Sequence, residues 1–317
     1  MHDWRPRASH EALRARAGLF ADIRTFFIER GVLEVDTPLL VGSGNPDPAL
    51  HSLALTIDGQ DYNLATSPEF AMKRLLAAGS GDIYQLSHVF RGGEQGRHHN
   101  SEFMLLEWYR VGFSLERLMD ETVELVRSVA DRRLRDLGVE RVEYRELFER
   151  TLAIDPIAAT LDEVRACALQ LPGAAPALED ERDLWLDWLM GAHVQPVLAP
   201  DRLTLVTGYP ASQAAMAELR DDGVTAHRFE LFCGSVELAN GYRELTSADE
   251  QRVRFEADLA TRRTRGLVQP PLDERVLTAL TQLPPCCGVA LGVDRLVMLL
   301  LGAKQLDDVM AFPTPYA

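Results

Sequence analysis

Three short stretches carry side chains suited to holding phosphate and ammonium groups. The first runs from Cys286 to Gly302. Gly288 and Gly292 interrupt an apolar strand, and glycine inside a strand marks a bulge or the close approach of a ligand. Asp294 is predicted to cap the helix that follows by accepting an N–H of its first turn, which puts Arg295 at the first helical position and Gly302 at the stop. A guanidinium beside a helix N-terminus and glycine-bared backbone is a site for anionic phosphate. The alternative is a buried strand and helix with Asp294 and Arg295 paired to each other. In the second stretch, Arg91 ends a predicted strand (Tyr84–Arg91), the loop Gly92-Gly93-Glu94-Gln95-Gly96-Arg97-His98-His99-Asn100 follows, and a second strand covers Glu102–Arg110. The third holds Glu230, Glu237 and Glu244, seven residues apart. On a helix that spacing would make a solvated acidic stripe. The β-rich composition and the turn at Gly234-Ser235 favour two strands instead, with a bulge at Asn240-Gly241. Carboxylates among apolar strand residues are costly to bury unless they meet cations or metal, and oxygen ligands suit Mg²⁺.

Composition limits what such groups can serve. The chain has 317 residues, 46% of them hydrophobic, enough for a full core. Its net charge of −15 opposes broad binding to nucleic acid, whose phosphates ask for a basic surface. The four cysteines have no metal or redox spacing, and Cys286 and Cys287 are adjacent, a poor disulfide geometry, so reduced thiols in a cytoplasmic setting are expected. No signal peptide and no run of membrane-spanning length is evident. His98 and His99 point apart and lack a partner at ligand spacing, so zinc is not expected.

The elements that must position these groups follow from periodicity. Residues 11–30 read as an amphipathic helix with Leu13, Ala17, Phe20, Ile23 and Phe27 on one stripe, ended by Gly31. A strand over 32–38 closes at Pro38, a loop spans 42–48, and a short strand covers 53–57. Ser67 caps a helix over 70–78, with Glu69 at its positive end. In Glu102–Arg110, Met104, Leu106 and Trp108 take one face, while Phe103, Leu105, Glu107 and Tyr109 take the other, facing a ligand or water. A long helix is predicted over 115–137, stopped by Gly138. Thr160 to Glu163 forms a capping box, residues 171–178 a loop, and residues 179–183 open a helix carrying Trp185 and Trp188. Nothing in 139–200 points to chemistry. With no internal repeat and no interdomain linker, residues 1–317 read as a single domain.

Together these stretches resemble a known family. Arg30-Gly-Val-Leu-Glu-Val-Asp-Thr-Pro38, then Phe90-Arg91 with its loop to His99-Asn100-Ser-Glu102-Phe103, then Gly-Val-Ala-Leu-Gly-Val-Asp294-Arg295 are similar to motifs 1, 2 and 3 of class II aminoacyl-tRNA synthetases. Glu237-Leu-Ala-Asn-Gly-Tyr-Arg-Glu244-Leu is similar to their lysine-specific branch. The resemblance implies an α+β catalytic domain, an antiparallel sheet flanked by helices, dimeric through the motif 1 region. Only about ten residues precede the motif 1 helix, so an anticodon-binding domain is not expected. That points to a stand-alone paralogue of the lysine branch, which activates (R)-β-lysine with ATP and Mg²⁺ and passes it to a lysine side chain of elongation factor P. A truncated lysyl-tRNA synthetase would call for an anticodon domain or a basic face. A non-catalytic regulatory paralogue would have lost motif arginines, yet Arg91 and Arg295 are present. Neither stable binding to nucleic acid nor a membrane is expected.

The resemblance also implies roles. Arg91 would hold the α-phosphate of ATP and Arg295 the γ-phosphate, with Gly92, Gly93, Glu237, Leu238 and Gly292 lining the nucleotide. His99 and Asn100 would lie beside it, and Phe103 would stack on adenine. Glu230 and Glu237 would hold Mg²⁺. Ser67, Pro68, Glu69, Glu107, Asn240 and Ala290 would line the amino-acid pocket, where Glu244 and Tyr109 take the side-chain ammonium. Three positions depart from the family's pattern. Gly93 stands in place of an acidic residue, with Glu94 one place later; Ser101 replaces a proline; and Ala290 replaces the middle glycine of motif 3.

Overall fold

The computed structural model describes residues 4–130, 132–173, 178 and 180–317. The middle of the predicted 171–178 loop and the first acidic residue of the predicted 179–183 helix start lie outside the described residues. The chain divides into two compact units: one is formed by Met1–Asp136 with Glu244–Ala317, the other by Leu137–Arg243. Both are α+β, as the resemblance implied.

The first unit opens with α1 (His10–Glu29), β1 (Leu33–Glu34), β2 (Leu40–Val41), β3 (Ala54–Ile57), β4 (Gln60–Leu64), α2 (Glu69–Ala77), β5 (Ile83–Phe90), β6 (Glu102–Val111), α3 (Leu115–Val129) and α4 (Arg132–Arg135). The second unit contains β7 (Gly138–Glu143), α5 (Tyr144–Leu152), α6 (Leu161–Gln170), α7 (Arg182–Leu189), β8 (Arg202–Thr207), β9 (Arg228–Cys233) and β10 (Val236–Arg243). The first unit then resumes with α8 (Ala248–Thr264), α9 (Glu274–Leu280), β11 (Cys286–Gly292) and α10 (Val293–Leu301).

In the first unit the strands run β1-β5-β6-β11, with β1 parallel to β5 and the other neighbours antiparallel. The two faces of β6 divide as its alternation predicts. Trp108 and Tyr84 turn to α1, where Phe27 stacks on Tyr84 at 4.3 Å and meets Trp108 edge-on at 5.6 Å. The opposite face carries Phe103, Leu105, Glu107 and Tyr109, and the unbroken register sets Gly292, Ala290 and Gly288 of β11 beside the last three. That face is the platform of the candidate site. A three-stranded sheet, β2-β4-β3, stands apart from it.

Several expectations need correction. The buried stripe of α1 is Ala12, Leu19, Ile23, Phe26 and Phe27, rather than one containing Leu13, Ala17 and Phe20. Phe20 instead lies beneath the Arg16 guanidinium at 5.1 Å. The strand expected over 32–38 pairs only at Leu33 and Glu34. The helix expected to reach residue 137 ends at Val129: Ala130 turns extended, and its carbonyl accepts from Arg135 at 3.0 Å. Gly138 does not stop that helix: α4 intervenes, and Gly138 opens β7, which runs parallel to β8. Asp294 is not a helix cap. The N-cap of α10 is Gly292, and the Asp294 carboxylate is taken by the Met104 N–H at 2.7 Å and by Arg16, so tertiary pairing outcompetes local capping. Arg295 is accordingly the third residue of α10, and Gly302 ends it with φ 63°. The capping box at Thr160 forms as expected, with Thr160 Oγ accepting from Glu163 N–H and the Glu163 carboxylate from Thr160 N–H.

In the second unit the strands run β10-β9-β8-β7. Gly234, with φ 54°, turns β9 into β10 as predicted. The bulge falls at Leu238, between Glu237 and Ala239, not at Asn240-Gly241. The extra residue changes which side chains share a face. Glu237 pairs with Phe232 and Asn240 with Glu230, so two residues an odd number apart lie on one face with Glu230. An unbroken strand would put Glu237 and Asn240 on opposite faces.

Candidate active site

The first unit gathers three carboxylates around one ammonium. Ser67 Oγ accepts the Glu69 N–H at 3.0 Å, fixing the start of α2, and its hydroxyl donates to Glu107 Oε2 at 2.7 Å. Glu69 then faces Lys73, one helical turn on, at 2.8 Å. The Lys73 ammonium also lies 2.6 Å from Glu244 Oε2. On β6, Tyr109 OH donates to Glu107 Oε1 at 2.6 Å. Glu69, Glu107, Glu244 and Lys73 are all buried, Lys73 completely.

Burial pushes the Glu107 carboxyl up to about 7, against the hydrogen bonds from Tyr109 and Ser67, and the charge of Glu69 adds to the effect. Glu244 is pushed up to about 8, chiefly by burial and against the pull of the Lys73 ammonium. Lys73 is itself held above its usual value: its two carboxylate partners outweigh a burial effect of the opposite sign. A low-dielectric pocket with three acids and one base favours an incoming cation.

Gly288 packs against this cluster. It lies opposite Tyr109, and a Cβ there would overlap both the Tyr109 ring and Glu244 Oε1. The glycine thus permits the close approach that its place in a strand suggested, with no bulge in β11. Ala290, two residues on and opposite Glu107, is half-buried on the same face. A cleft of about 460 Å³, walled by Pro38, 40–45, Ser52, 64–71, Arg74 and 271–275, takes in Ser67, Pro68 and Glu69 and so adjoins the cluster.

The same unit carries the expected phosphate arginines. Arg91 follows β5; its Nε donates to the Thr66 carbonyl at 3.2 Å, its guanidinium lies 5.1 Å from the centre of the Phe103 ring, and Glu94 is 3.9 Å away. Glu94 therefore faces Arg91, one place beyond the acidic position of the family pattern. Gly92 N–H donates to the His51 carbonyl at 2.7 Å, and Gly93 adopts φ 79°. Arg295 reaches the far side of this loop, with Nε donating to the His98 carbonyl at 3.2 Å and Nη2 2.9 Å from His99 Nε2. Burial, helped by Arg295, His99 and Arg97, holds the His98 imidazole below its usual range. Asn100 is committed to backbone at both ends: it donates to the Glu102 carbonyl at 2.6 Å and accepts the Thr314 N–H at 3.0 Å. Gly292 is open, since a Cβ there would meet only the Arg295 side chain at ordinary contact distance.

In the second unit, Glu230 is bound by Arg228 at 2.6 Å, and Arg228 also donates to Asn240 Oδ1 at 3.3 Å. Burial, opposed by Arg228 and reinforced by the charge of Glu237, pushes Glu230 up to about 7. Leu238 is buried at the bulge. Among the described residues no group of three or more His, Cys, Asp or Glu side chains forms a metal cage. Two neighbouring carboxylates suit a hard cation whose remaining ligands are phosphate oxygens and water.

Sequence reasoning missed Lys73, Arg16 and Arg228. The spacing of Glu69 and Lys73, four apart on a helix, and of Arg228 and Glu230, two apart on a strand, carried the signal for two of them. Arg16 and Asp294 are 278 residues apart, and no local pattern links them.

An antiparallel platform with an arginine-bearing glycine loop on one strand and a second arginine in the following helix defines a class II synthetase catalytic fold. A family model described as tRNA synthetases class II (D, K and N) matches residues 1–315, and the chain belongs to that family. Among curated proteins it is 46% identical over 318 residues to an elongation factor P–(R)-β-lysine ligase of Pectobacterium atrosepticum, covering 98% of this chain and 97% of that one. A protein of the same name from Vibrio vulnificus is 45% identical over 324 residues, 99% of each chain. Another from Yersinia enterocolitica is 46% identical over 319 residues, 98% of this chain and 97% of that one.

Proposed function

We propose that this chain is an ATP-dependent ligase that activates (R)-β-lysine as its adenylate and transfers it to a lysine side chain of elongation factor P. The observation that carries the reading is the buried cluster of Glu69, Glu107 and Glu244 around Lys73. Three carboxylates and one internal ammonium leave two negative charges unmatched when all are ionised, and a lysine-type amino acid brings two ammonium groups. Full-length relatives of the same name support the choice of acceptor and of the β-amino acid. Both units are read as one catalytic domain, and the enzyme as a homodimer.

In the first step a carboxylate oxygen of the amino acid attacks the α-phosphorus of ATP, and the bond to the pyrophosphate oxygen breaks. Arg91 would neutralise charge on the α-phosphate and Arg295 on the γ-phosphate, so catalysis is mainly positioning and electrostatic stabilisation. Phe103 would stack on adenine, with Gly92, Gly93, His99, Asn100, Leu238 and Gly292 around the nucleotide. Mg²⁺, held by Glu230 and Glu237 together with the phosphates, would supply charge neutralisation. In the second step the acceptor's neutral amine attacks the acyl carbon, AMP leaves, and the nitrogen loses its proton to solvent.

The test is pyrophosphate exchange with (R)-β-lysine and α-lysine, followed by transfer to purified elongation factor P. The expected result is β-lysine-dependent exchange and a single acylated lysine on the acceptor. Efficient charging of lysine tRNA at physiological salt, with an unmodified acceptor protein, would overturn the reading in favour of a truncated synthetase.

Ala290 yields a second expectation. Its methyl sits opposite Glu107 on the pocket face, where the family's pattern has glycine. One methyl shifts selectivity by roughly 1–3 kcal/mol, and β-lysine, whose amino group lies one carbon further from the carboxylate, can avoid it. Ala290→Gly should raise kcat/KM for α-lysine relative to β-lysine without loss of ATP binding. An unchanged ratio would remove Ala290 from the choice and leave it only a strand-stiffening role.

A further inference from the structure

Lys73 is paired with the carboxylate expected to meet the substrate. It is fully buried and lies 2.8 Å from Glu69 Oε1 and 2.6 Å from Glu244 Oε2. Neither Glu244 oxygen has hydrogen-bond geometry; Oε2 is held by the Lys73 charge, whereas Oε1 is buried with neither a hydrogen bond nor an ion pair. It lies over Gly288 next to the Tyr109 ring, in space that any β-carbon at position 288 would fill. A carboxylate free to rotate would offer either oxygen to either neighbour, whereas one gripped at Oε2 keeps Oε1 on the side of Gly288 and Tyr109.

We infer that Lys73 is a positioning residue, an internal counter-ion that fixes Glu244 so that one oxygen faces the substrate's side-chain ammonium. It acts through charge as well as geometry. The groups facing Glu244 are Lys73 and Glu69 from α2, Glu107 and Tyr109 from β6, and Cys286 with bare Gly288 from β11. Lys73 is the one cation in that set. With it present, net charge favours a dication; without it, mutual repulsion of the three carboxylates drives one of them to bind a proton, and Glu244, the most deeply buried of the three, is the natural one. A protonated Glu244 pairs poorly with an ammonium.

The inference rests on the reading of Glu244 as the ammonium-binding residue, and the experiment separates the two. Steady-state kinetics of adenylate formation are measured between pH 6 and 9.5 for the wild type, Lys73→Met and Glu244→Gln, with ATP binding followed by calorimetry as the check on folding. Lys73→Met is expected to raise KM for the amino acid by about 10- to 100-fold at neutral pH, the loss of a charge-assisted bond, while KM for ATP stays within about twofold. The acid limb of kcat/KM for the amino acid should move to higher pH, so that much of the loss is recovered near pH 9. The sign follows because the Lys73 charge lowers the Glu244 carboxyl, and removing it lets burial raise that carboxyl further. A purely structural loss would be the same at every pH. If the Met variant does not bind ATP, Lys73→Gln, which keeps a donor without the charge, takes its place with the same expected shift. An unmoved acid limb in a folded variant, alongside a strong Glu244→Gln effect, overturns the role of Lys73 alone. An amino-acid KM untouched by Glu244→Gln overturns the reading on which it rests.

Discussion

Arg91→Ala and Arg295→Ala are each expected to abolish adenylate formation while the protein remains folded. Each arginine supplies charge-assisted bonds of roughly 1.5–3 kcal/mol to a phosphate, and loss of one preorganised donor to developing charge costs about 100- to 1,000-fold in kcat. The structural cost is small. Arg91 gives up one bond to the Thr66 carbonyl, its place beside the Phe103 ring and a distant contact with Glu94, and Arg295 gives up contacts that include those to His98 and His99. The loop between them keeps its other ties, including Arg91 N–H to the Ser101 carbonyl and the two bonds of Asn100. Pyrophosphate exchange and thermal unfolding, measured side by side, check this. Normal exchange in either variant would remove that arginine from the phosphate site.

Glu244→Gln is expected to be nearly as damaging but to act on the other substrate. Removing one partner of a buried ion pair leaves the other charge uncompensated, at roughly 3–5 kcal/mol, or a loss of about 100-fold or more in affinity. Here the substrate ammonium and Lys73 would both be left facing a neutral amide. Calorimetry should therefore find amino-acid binding lost and ATP binding kept. If ATP affinity collapses while amino-acid affinity survives, Glu244 belongs with the nucleotide. The pH dependence has a definite sign. The carboxyl is raised to about 8, so its ionised form, and with it amino-acid affinity in the wild type, should strengthen as pH rises through that value.

Of the platform strands, β5 and β6 were legible by alternation and β11 as an apolar run interrupted by glycines. Met104, Leu106 and Trp108 on one face of β6, with Glu107 and Tyr109 on the other, follow from the amino-acid order alone. Gly234-Ser235 marked its turn, and Thr160 with Glu163 marked a helix start. The chemistry-bearing types, Arg91, Arg295 and the three spaced glutamates, were equally visible. What could not be read was decided by long-range competition. Asp294 has the local signature of a cap, but a guanidinium 278 residues away and a strand N–H claim its carboxylate. The bulge went to Leu238 although Asn240-Gly241 is the better local candidate, and that location sets Glu237 and Asn240 on one face. Lys73 lies within the helix expected over 70–78 and drew no notice there; only the approach of Glu244, 171 residues on, reveals it as part of the cluster.

The bonds that hold the glycine loop have a consequence for biosynthesis. Leu306 N–H donates to the Arg97 carbonyl at 2.9 Å, and Thr314 N–H to Asn100 Oδ1, across 214 residues. At about 5–20 residues per second a ribosome needs roughly 10 to 40 s to travel that distance. During that interval a nascent chain displays the loop, with its arginine and paired histidines, without the clasps that shape it. The strand hairpin beneath can form early, since β5 and β6 are neighbours in sequence. Nucleotide affinity, by contrast, should arise only as the last dozen residues are added, so a chain stalled or clipped before Leu306 would fold much of its core yet bind ATP poorly.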